Sequence, residues 1–429
     1  LNNGSTQKLL GKGSPDADLG GSELRQIVAD AISQVAAGTR VLAIIPDKTR
    51  DDITHLLFPT VNEILLEKGV AAFDALVAQG THSPMSDDEK SAKIGRPENF
   101  SGTIFDHRWD DPTALVRIGE LSAEEVIKIT GGLFNHPIEL TINRLLAPGV
   151  YDLVLIFGAT VPHEVAGFAG GAKYFFPGVA GPELTHKTHW LAALATIENI
   201  IGRVETPTRH LIEAAANRIS GDVIAFTSVN GRTQDDRLCT HALFAGDYRS
   251  SLRAAADVSK HVHIKYSGRK YNRVVALLDE HYDDLWVGGK ASYRLGAVIE
   301  DGGELIIYAP HLSCISNTHG EAIERFGGYA PIEKIKDLVA ASGELQANLC
   351  VAAHLAHVSY AGRQNSAGEF EPRFRITLSS QVDEAMCRRV NLGYLDPGVF
   401  DITDYQTGPD TLIVERAGRD LYLVEPYAV

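Results

Sequence analysis

Cysteine, methionine and tryptophan are scarce in this chain, with four, two and three in 429 residues. Cys239, Cys314, Cys350 and Cys387 lie far apart and form no C-x-x-C pair, so they offer neither a disulfide framework nor a cysteine-rich metal site. Such usage suits a reducing compartment. No apolar run reaches the roughly 20 residues that a bilayer-spanning helix needs. The N-terminal stretch, rich in Gly, Ser and Asn, holds no signal-peptide apolar core. Basic character is lacking too: 40 Lys and Arg stand against 55 Asp and Glu, a formal net charge of −15. A surface of that sign repels phosphate backbones and anionic lipid, and no basic run offsets it locally. These absences predict a cytoplasmic protein with no nucleic-acid and no membrane partner. An anionic substrate stays open, because a few buried Arg and Lys side chains make one cleft positive in a low dielectric.

What is present is a chain with 44% hydrophobic residues, arranged in short runs that end in small or polar residues. Residues 41–45 stop at Pro46-Asp47, 75–78 lead to Gly80-Thr81-His82, and 153–157 stop at Gly158-Ala159. A further run spans 223–226. Amphipathic stretches follow, the pattern of strands feeding helices in a parallel sheet, and such sheets place ligands at the carboxyl ends of their strands. Ser86-Asp87-Asp88-Glu89 is a capping-box pattern that starts a helix just after His82. The pattern restarts at 274–278, runs through a helical stretch to Tyr293 and reaches a strand at 305–308, with helices expected at 332–341 and 381–389 and a terminal strand from Thr411. The expected fold class is α/β, with two domains, each a largely parallel sheet flanked by helices, and an active site in the interdomain cleft. The expected boundaries are a flexible N-terminal arm at 1–20, a first domain at 21–268 and a second α/β domain at 269–429, whose tail from about 400 could pack back on the first.

The densest chemistry lies in Pro162-His163-Glu164-Val165-Ala166-Gly167-Phe168-Ala169-Gly170-Gly171-Ala172-Lys173, continuing through Pro177-Gly178 to Gly181. Its glycines let backbone amides approach a ligand, as phosphate-cradling loops do. The spacing is neither Walker A nor G-x-G-x-x-G, which disfavours a standard nucleotide loop. Lys173 sits in an apolar, glycine-rich stretch where desolvation favours a neutral amine able to form a covalent adduct; a phosphate-pairing lysine is the plainer alternative. His163, near a strand end, is either a structural histidine or a proton-transfer group. His186 and His189 have i, i+3 spacing, which lets both face one metal on a helix, although two histidines without a third ligand are equally ordinary helix residues. Asp47 and Arg50 flank Lys48-Thr49 and suit a ribose hydroxyl and a carboxylate or phosphate, or Asp47 and Thr49 simply cap a helix. His82 is a second base candidate, and His136 reads as structural.

Taken together, Asp47-x-Thr49-Arg50, Gly80-Thr81-His82-x-Pro84, His163-x-x-Ala166-Gly167-Phe168-x-Gly170-Gly171-x-Lys173-x-x-x-Pro177-Gly178 and then His189 resemble, in order and spacing, the nickel-pincer lactate racemase family. The similarity is strongest from about 41 to 190. The resemblance implies a nickel-pincer nucleotide, a pyridinium-derived mononucleotide with two thio-acid arms, covalently linked to Lys173 in the first domain. It implies nickel held by that cofactor and by His189, a tetragonal site with soft donors. His82 and His163 match the two catalytic bases: one takes the hydroxyl proton of a 2-hydroxy acid while hydride leaves for the cofactor, and the other serves the opposite face after a planar 2-keto acid forms. Arg50 and the second-domain Lys290 match substrate-binding positions, and Asp47 matches one that holds the cofactor ribose. Domain closure would then bring Lys290 to the bases. Expected partners are a small 2-hydroxy acid and the proteins that make the cofactor and insert nickel; the sequence sets no oligomeric state.

Two departures bear on substrate. Trp286-Val287 stand where lactate racemases have a Tyr-Gln pair, and residues 343–348 lack the tryptophan expected near the lactate pocket. Because the side chain of Val287 makes no hydrogen bond, the expected substrate is a 2-hydroxy acid other than, or broader than, lactate. The alternatives are an epimerase of a larger hydroxy acid such as an aldonate, using the same cofactor, a zinc hydrolase built on His163, His186 and His189, and a non-catalytic nucleotide-binding relative.

Overall fold

The computed structural model describes residues 8–233 and 235–427. The chain forms two compact units, one made of the residues up to Thr188 together with Val204–Val262, the other of His189–Arg203 together with the chain from His263 onward. The division falls inside one helix, Pro182–Ala195. A single cut near 268 leaves residues 189–203 in the first domain; in the structure they group with the second unit.

The first unit is built on a seven-stranded sheet. Its strands are β1 (Leu10–Gly13), β2 (Arg40–Pro46), β3 (Ala72–Ala78), β4 (Ile104–Asp106), β5 (Leu153–Ala159), β6 (Asp222–Arg232) and β7 (Leu238–Gly246). Their spatial order is β1-β7-β6-β5-β2-β3-β4. The run from β6 to β4 is parallel, and β7 and β1 close one edge antiparallel. In β2 and β5 nearly every residue is buried, which is why both read as unbroken apolar runs rather than alternating ones: a central parallel strand is covered on both faces. On one face Val41, Ala43 and Ile45 pack with Phe58, Val61 and Leu65 of the helix Thr54–Lys68, the crossover from β2 to β3. That helix stops at Gly69, which takes the left-handed conformation favoured at helix ends.

The order of the strands locates the ligand end. From β2 the chain steps outward to β3 and β4, then returns to place β5 and β6 on the other side of β2. The direction therefore reverses between β2 and β5, and their carboxyl ends open a crevice at a topological switch point. Leading from those two ends are the Asp47-to-Arg50 turn and the long segment from Thr160 to Gly181.

The N-terminal arm expected to be flexible is a strand from Leu10 to Gly13, paired with β7; residues 1–7 lie outside the described residues. Its glycines serve close approach rather than freedom. A Cβ on Gly11, whose φ is +104°, would lie 2.1 Å from the Leu243 carbonyl oxygen, and one on Gly13 would lie 2.2 Å from the Ala242 Cβ.

The second unit carries a five-stranded, wholly parallel sheet of β8 (Tyr271–Leu277), β9 (Ile299–Tyr308), β10 (Arg375–Ser379), β11 (Gly393–Tyr394) and β12 (Thr411–Val414). Their order is β11-β10-β9-β8-β12. Helices form at Ile332–Ala341, as the sequence predicts, and at Glu384–Arg389, shortened because Asp383 caps it by accepting from the Met386 amide. The tail places β12 beside β8 and pairs Leu421–Leu423 with Ile264–Tyr266. Among the described residues no helix is long and apolar enough to cross a membrane.

Candidate active site

Beyond β2, Asp47 is buried and fully engaged. One carboxylate oxygen accepts from the Thr49 amide (2.8 Å) and the Thr49 hydroxyl (2.6 Å), and the other lies 2.7 Å from Nδ1 of His82. Burial alone would raise this carboxyl, but the hydrogen bond from His82 and the nearby charge of Arg50 outweigh it and hold Asp47 below the ordinary carboxylate range. His82 itself is about half exposed, with a side-chain accessibility of 48%. It stands just ahead of the helix Asp87–Lys93, whose predicted capping box forms: the Ser86 hydroxyl accepts from the Glu89 amide and the Glu89 carboxylate accepts from the Ser86 amide. From that helix Lys93 reaches back to the Asp52 carboxylate (2.6 Å) and the Arg50 carbonyl (3.0 Å), which fixes the turn carrying Arg50.

Beyond β5, the segment from 160 to 181 folds as a compact loop. The short pair Pro162–His163 and Gly167–Phe168 forms a tight hairpin, and Gly171–Tyr174 is a single 3-10 turn that carries Lys173. Gly170 and Gly171 have φ of +100° and +59°. A Cβ on Gly170 would sit 2.8 Å from the Thr160 hydroxyl, and one on Gly171 would sit 2.9 Å from the Tyr248 carbonyl oxygen. Only glycine allows this path. The loop is tied to the turn after β3 by the Gly80 amide donating to the Gly178 carbonyl (2.9 Å), which links the His82 and Lys173 segments. On its far side the Asn143 amide donates to the Val179 carbonyl (2.9 Å), and Nε2 of the buried His107 donates to the Ala180 carbonyl (2.9 Å).

Lys173 is partly buried in this loop. Desolvation, followed by the charge of Arg50, pushes its amine down to about 7, against the opposing pull of Glu164. His163 is 7% exposed; its Nδ1 accepts from the Val165 amide (3.0 Å) and lies 3.7 Å from the Glu164 carboxylate. Asp47, Arg50, His82, His163 and Lys173 thus all lie in the first unit, in loops leading from the carboxyl ends of neighbouring strands.

His186 and His189 both lie on the helix Pro182–Ala195, His186 edge-on to Trp109 at 6.3 Å in the first unit and His189 in the second. Lys290 also belongs to the second unit, at the start of the helix Lys290–Leu295. There Trp286, Val287 and Lys290 are partly exposed while Leu285, Gly288 and Gly289 are buried, and the Trp286 ring packs 4.1 Å from His354 and 4.5 Å from His319. His136 packs its ring 5.4 Å from that of Phe134.

One residue of the site was not legible in the sequence. Arg209, fully buried on the helix Pro207–Ala216, donates to the carbonyls of Gly170 (3.2 Å), Ala166 (3.3 Å) and Phe168, three points along the glycine-rich loop. Burial lowers its guanidinium to about 10. Its signal is faint: Arg209 occupies the buried face of a helix whose other buried members include Ile212 and Ala216.

Fold and site define an α/β protein that gathers a near-neutral lysine, two histidines and an arginine at the switch point of a parallel sheet. Over part of its length the chain is similar to lactate racemases. Residues 24–200 match the lactate racemase N-terminal domain. Lactate racemase from Lactiplantibacillus plantarum is 29% identical over 165 residues, 38% of this chain and 35% of that protein. Lactate racemase from Thermoanaerobacterium thermosaccharolyticum is 29% identical over 162 residues, 37% and 34% respectively. The matched stretch thus spans about a third of the length of these curated relatives. Among solved structures, a Thermotoga maritima protein matches with a TM-score of 0.84 and 32% identity over 94% of this chain and 98% of that one. The lactate racemase apoprotein from T. thermosaccharolyticum matches with a TM-score of 0.70 and 16% identity over 96% and 94%, a likeness of fold.

Proposed function

We propose that this protein is a racemase of small 2-hydroxy acids that works with a nickel-pincer nucleotide linked to Lys173, with His189 as the protein ligand to nickel. The observation that carries the reading is Lys173 itself: an amine brought to about 7 in a loop whose backbone only glycine can follow. The loop fits a covalently held group on two counts. The neutral amine, which a shift to about 7 makes accessible near neutral pH, is the form that bonds to an acyl carbon, and the Thr160 hydroxyl, buried beside Gly170, has no hydrogen-bond partner among the described residues. Among the described residues no cluster of three His, Cys, Asp or Glu side chains is placed to hold a metal ion, so a metal here needs donors brought by an organic group. The zinc-hydrolase alternative has no such cluster to stand on.

When bound, the group supplies reversible hydride acceptance. The chain's own residues supply the rest. Arg50 pairs with the substrate carboxylate, as a guanidinium fork suits. His82 and His163 move the hydroxyl proton on opposite faces of the substrate carbon, and Lys290 provides a further cationic contact. The loops that carry Arg50, His82 and His163 are braced by Lys93, the Gly80 amide and Arg209, so these groups are held in place before substrate arrives. Trp286 and Val287 in place of a Tyr-Gln pair favour a 2-hydroxy acid other than, or broader than, lactate. A panel of single enantiomers of lactate, larger 2-hydroxy acids and aldonates, assayed by chiral chromatography on cofactor-loaded protein, tests this. Inversion of several small hydroxy acids supports the reading, inversion at one centre of an aldonate alone makes the protein an epimerase, and turnover confined to lactate contradicts the substrate assignment.

A further inference from the structure

We propose that Asp47 is a positioning residue that fixes His82 as its Nδ1–H tautomer, with Nε2 as the proton-accepting atom, while the Val165 amide fixes His163 in the opposite tautomer. The inference rests on the reading of both histidines as proton-transfer groups, and it adds which nitrogen of each carries the proton and what decides it.

The assignment follows from what each neighbour is able to do. A carboxylate only accepts hydrogen bonds, so the 2.7 Å contact between Asp47 and Nδ1 of His82 requires the hydrogen to sit on Nδ1. Asp47 is not free to turn away. Its other oxygen is held by both the amide and the hydroxyl of Thr49, and the carboxylate is 3% exposed, so an unpaired charge would be costly there. A backbone amide, by contrast, only donates. The 3.0 Å contact from the Val165 amide to Nδ1 of His163 requires a lone pair on that nitrogen, which leaves the hydrogen of the neutral ring on Nε2. The Glu164 carboxylate, 3.7 Å from the same Nδ1, is too far to compete for a hydrogen bond with the neutral ring. Neutral His82 therefore carries a lone pair at Nε2 where neutral His163 carries a hydrogen. In their neutral forms the two rings thus present a hydrogen-bond acceptor and a hydrogen-bond donor respectively at Nε2, set by Asp47 and by the backbone turn after His163.

The same geometry makes an unusual prediction for Asp47→Asn. The two Thr49 donors claim the amide oxygen, so the amide nitrogen must face His82, and a donor at that place forces Nδ1 to accept. His82 is then driven to the Nε2–H tautomer, which has no lone pair where one is needed. An asparagine that imposes the wrong tautomer on a catalytic histidine costs about 10⁴ in kcat in the serine-protease case.

Long-range 1H–15N spectra of the uniformly labelled, cofactor-free chain at a pH where the rings are neutral read the tautomers directly, with His82→Gln and His163→Gln used to assign the signals. The expected pattern is a protonated Nδ1 on His82 and a protonated Nε2 on His163, and in Asp47→Asn an inversion of His82 alone, with His163 unchanged. A wild-type His82 protonated on Nε2, or an Asp47→Asn protein whose His82 keeps its proton on Nδ1, overturns the proposal. Because the spectra need neither cofactor nor substrate, the expected tautomers in a protein that racemises nothing when loaded would reject the racemase reading and leave the tautomer assignment standing.

Discussion

The guanidinium of Arg209 donates to the Gly170 carbonyl at 3.2 Å from the far side of the glycine-rich loop, and it also holds the carbonyls of Ala166 and Phe168. The loop buries Val165, Phe168, Phe175 and Phe176, but glycines at 167, 170 and 171 leave its backbone path little restrained by side chains, and one buried cation holds three of its carbonyls. Replacing Arg209 with Met leaves three buried carbonyls without that partner and is expected to lower the unfolding free energy by about 3–5 kcal/mol. Arg209→Lys keeps the charge but not the planar fork, and is expected to recover only part of the loss. Urea unfolding of the three proteins checks the order.

Lys173 gives a prediction in pH. Desolvation and the charge of Arg50 bring its amine to about 7, so an amine-reactive reagent followed by peptide mass spectrometry should label it half-maximally near that pH, well below exposed lysines. Neutralising Arg50 by Arg50→Gln should move the midpoint upward. The sign for stability follows from the same shift. The unfolded chain keeps this proton to about pH 10.4 while the folded chain releases it near 7, so the contribution of Lys173 to stability rises as pH climbs between those values.

The pair Asp52–Lys93 is nearly dry, with side-chain exposures of 1% and 10% and a separation of 2.6 Å. Lys93→Met strands the Asp52 carboxylate and releases the Arg50 carbonyl, and is expected to cost about 3–5 kcal/mol. Adding Asp52→Asn should return a substantial part of that, because the buried charge is gone. Equal stability of the single and double variants in thermal unfolding would contradict this account of the pair.

Much of the first unit was legible because its physics is local. The runs at 41–45, 75–78, 153–157 and 223–226 are strands β2, β3, β5 and β6, readable because parallel strands covered on both faces are apolar throughout. The Ser86-to-Glu89 box was readable because its hydrogen bonds join residues three apart. Other features depend on contacts distant in sequence. Arg209 pairs with carbonyls about 40 residues away, and an arginine on a helix ordinarily reads as a surface residue. The bond from Asp47 to His82 joins two turns that sequence motifs treat as separate. The division of the chain within Pro182–Ala195 has no local signal, since an uninterrupted helix carries no breaker at the point where its partners change.

Strand β1 was hidden for a related reason: its docking uses backbone hydrogen bonds and close approach rather than apolar side chains. Gly11→Val, with a Cβ 2.1 Å from the Leu243 carbonyl oxygen and a positive φ, should detach the strand without unfolding the sheet. The expected readout is a loss of amide-exchange protection over 242–245 of about tenfold or more, with the central strands unaffected. Unchanged protection would show that the edge pairing is not held by this glycine.

The central claim is the covalent cofactor on Lys173, and the most direct measurement is intact-protein mass with peptide mapping and nickel content, on protein produced together with the cofactor-making and nickel-inserting proteins. The account predicts an added mass located on Lys173, absent in Lys173→Ala, with about one nickel per chain, as a single site implies. An unmodified chain without nickel under those conditions would contradict it.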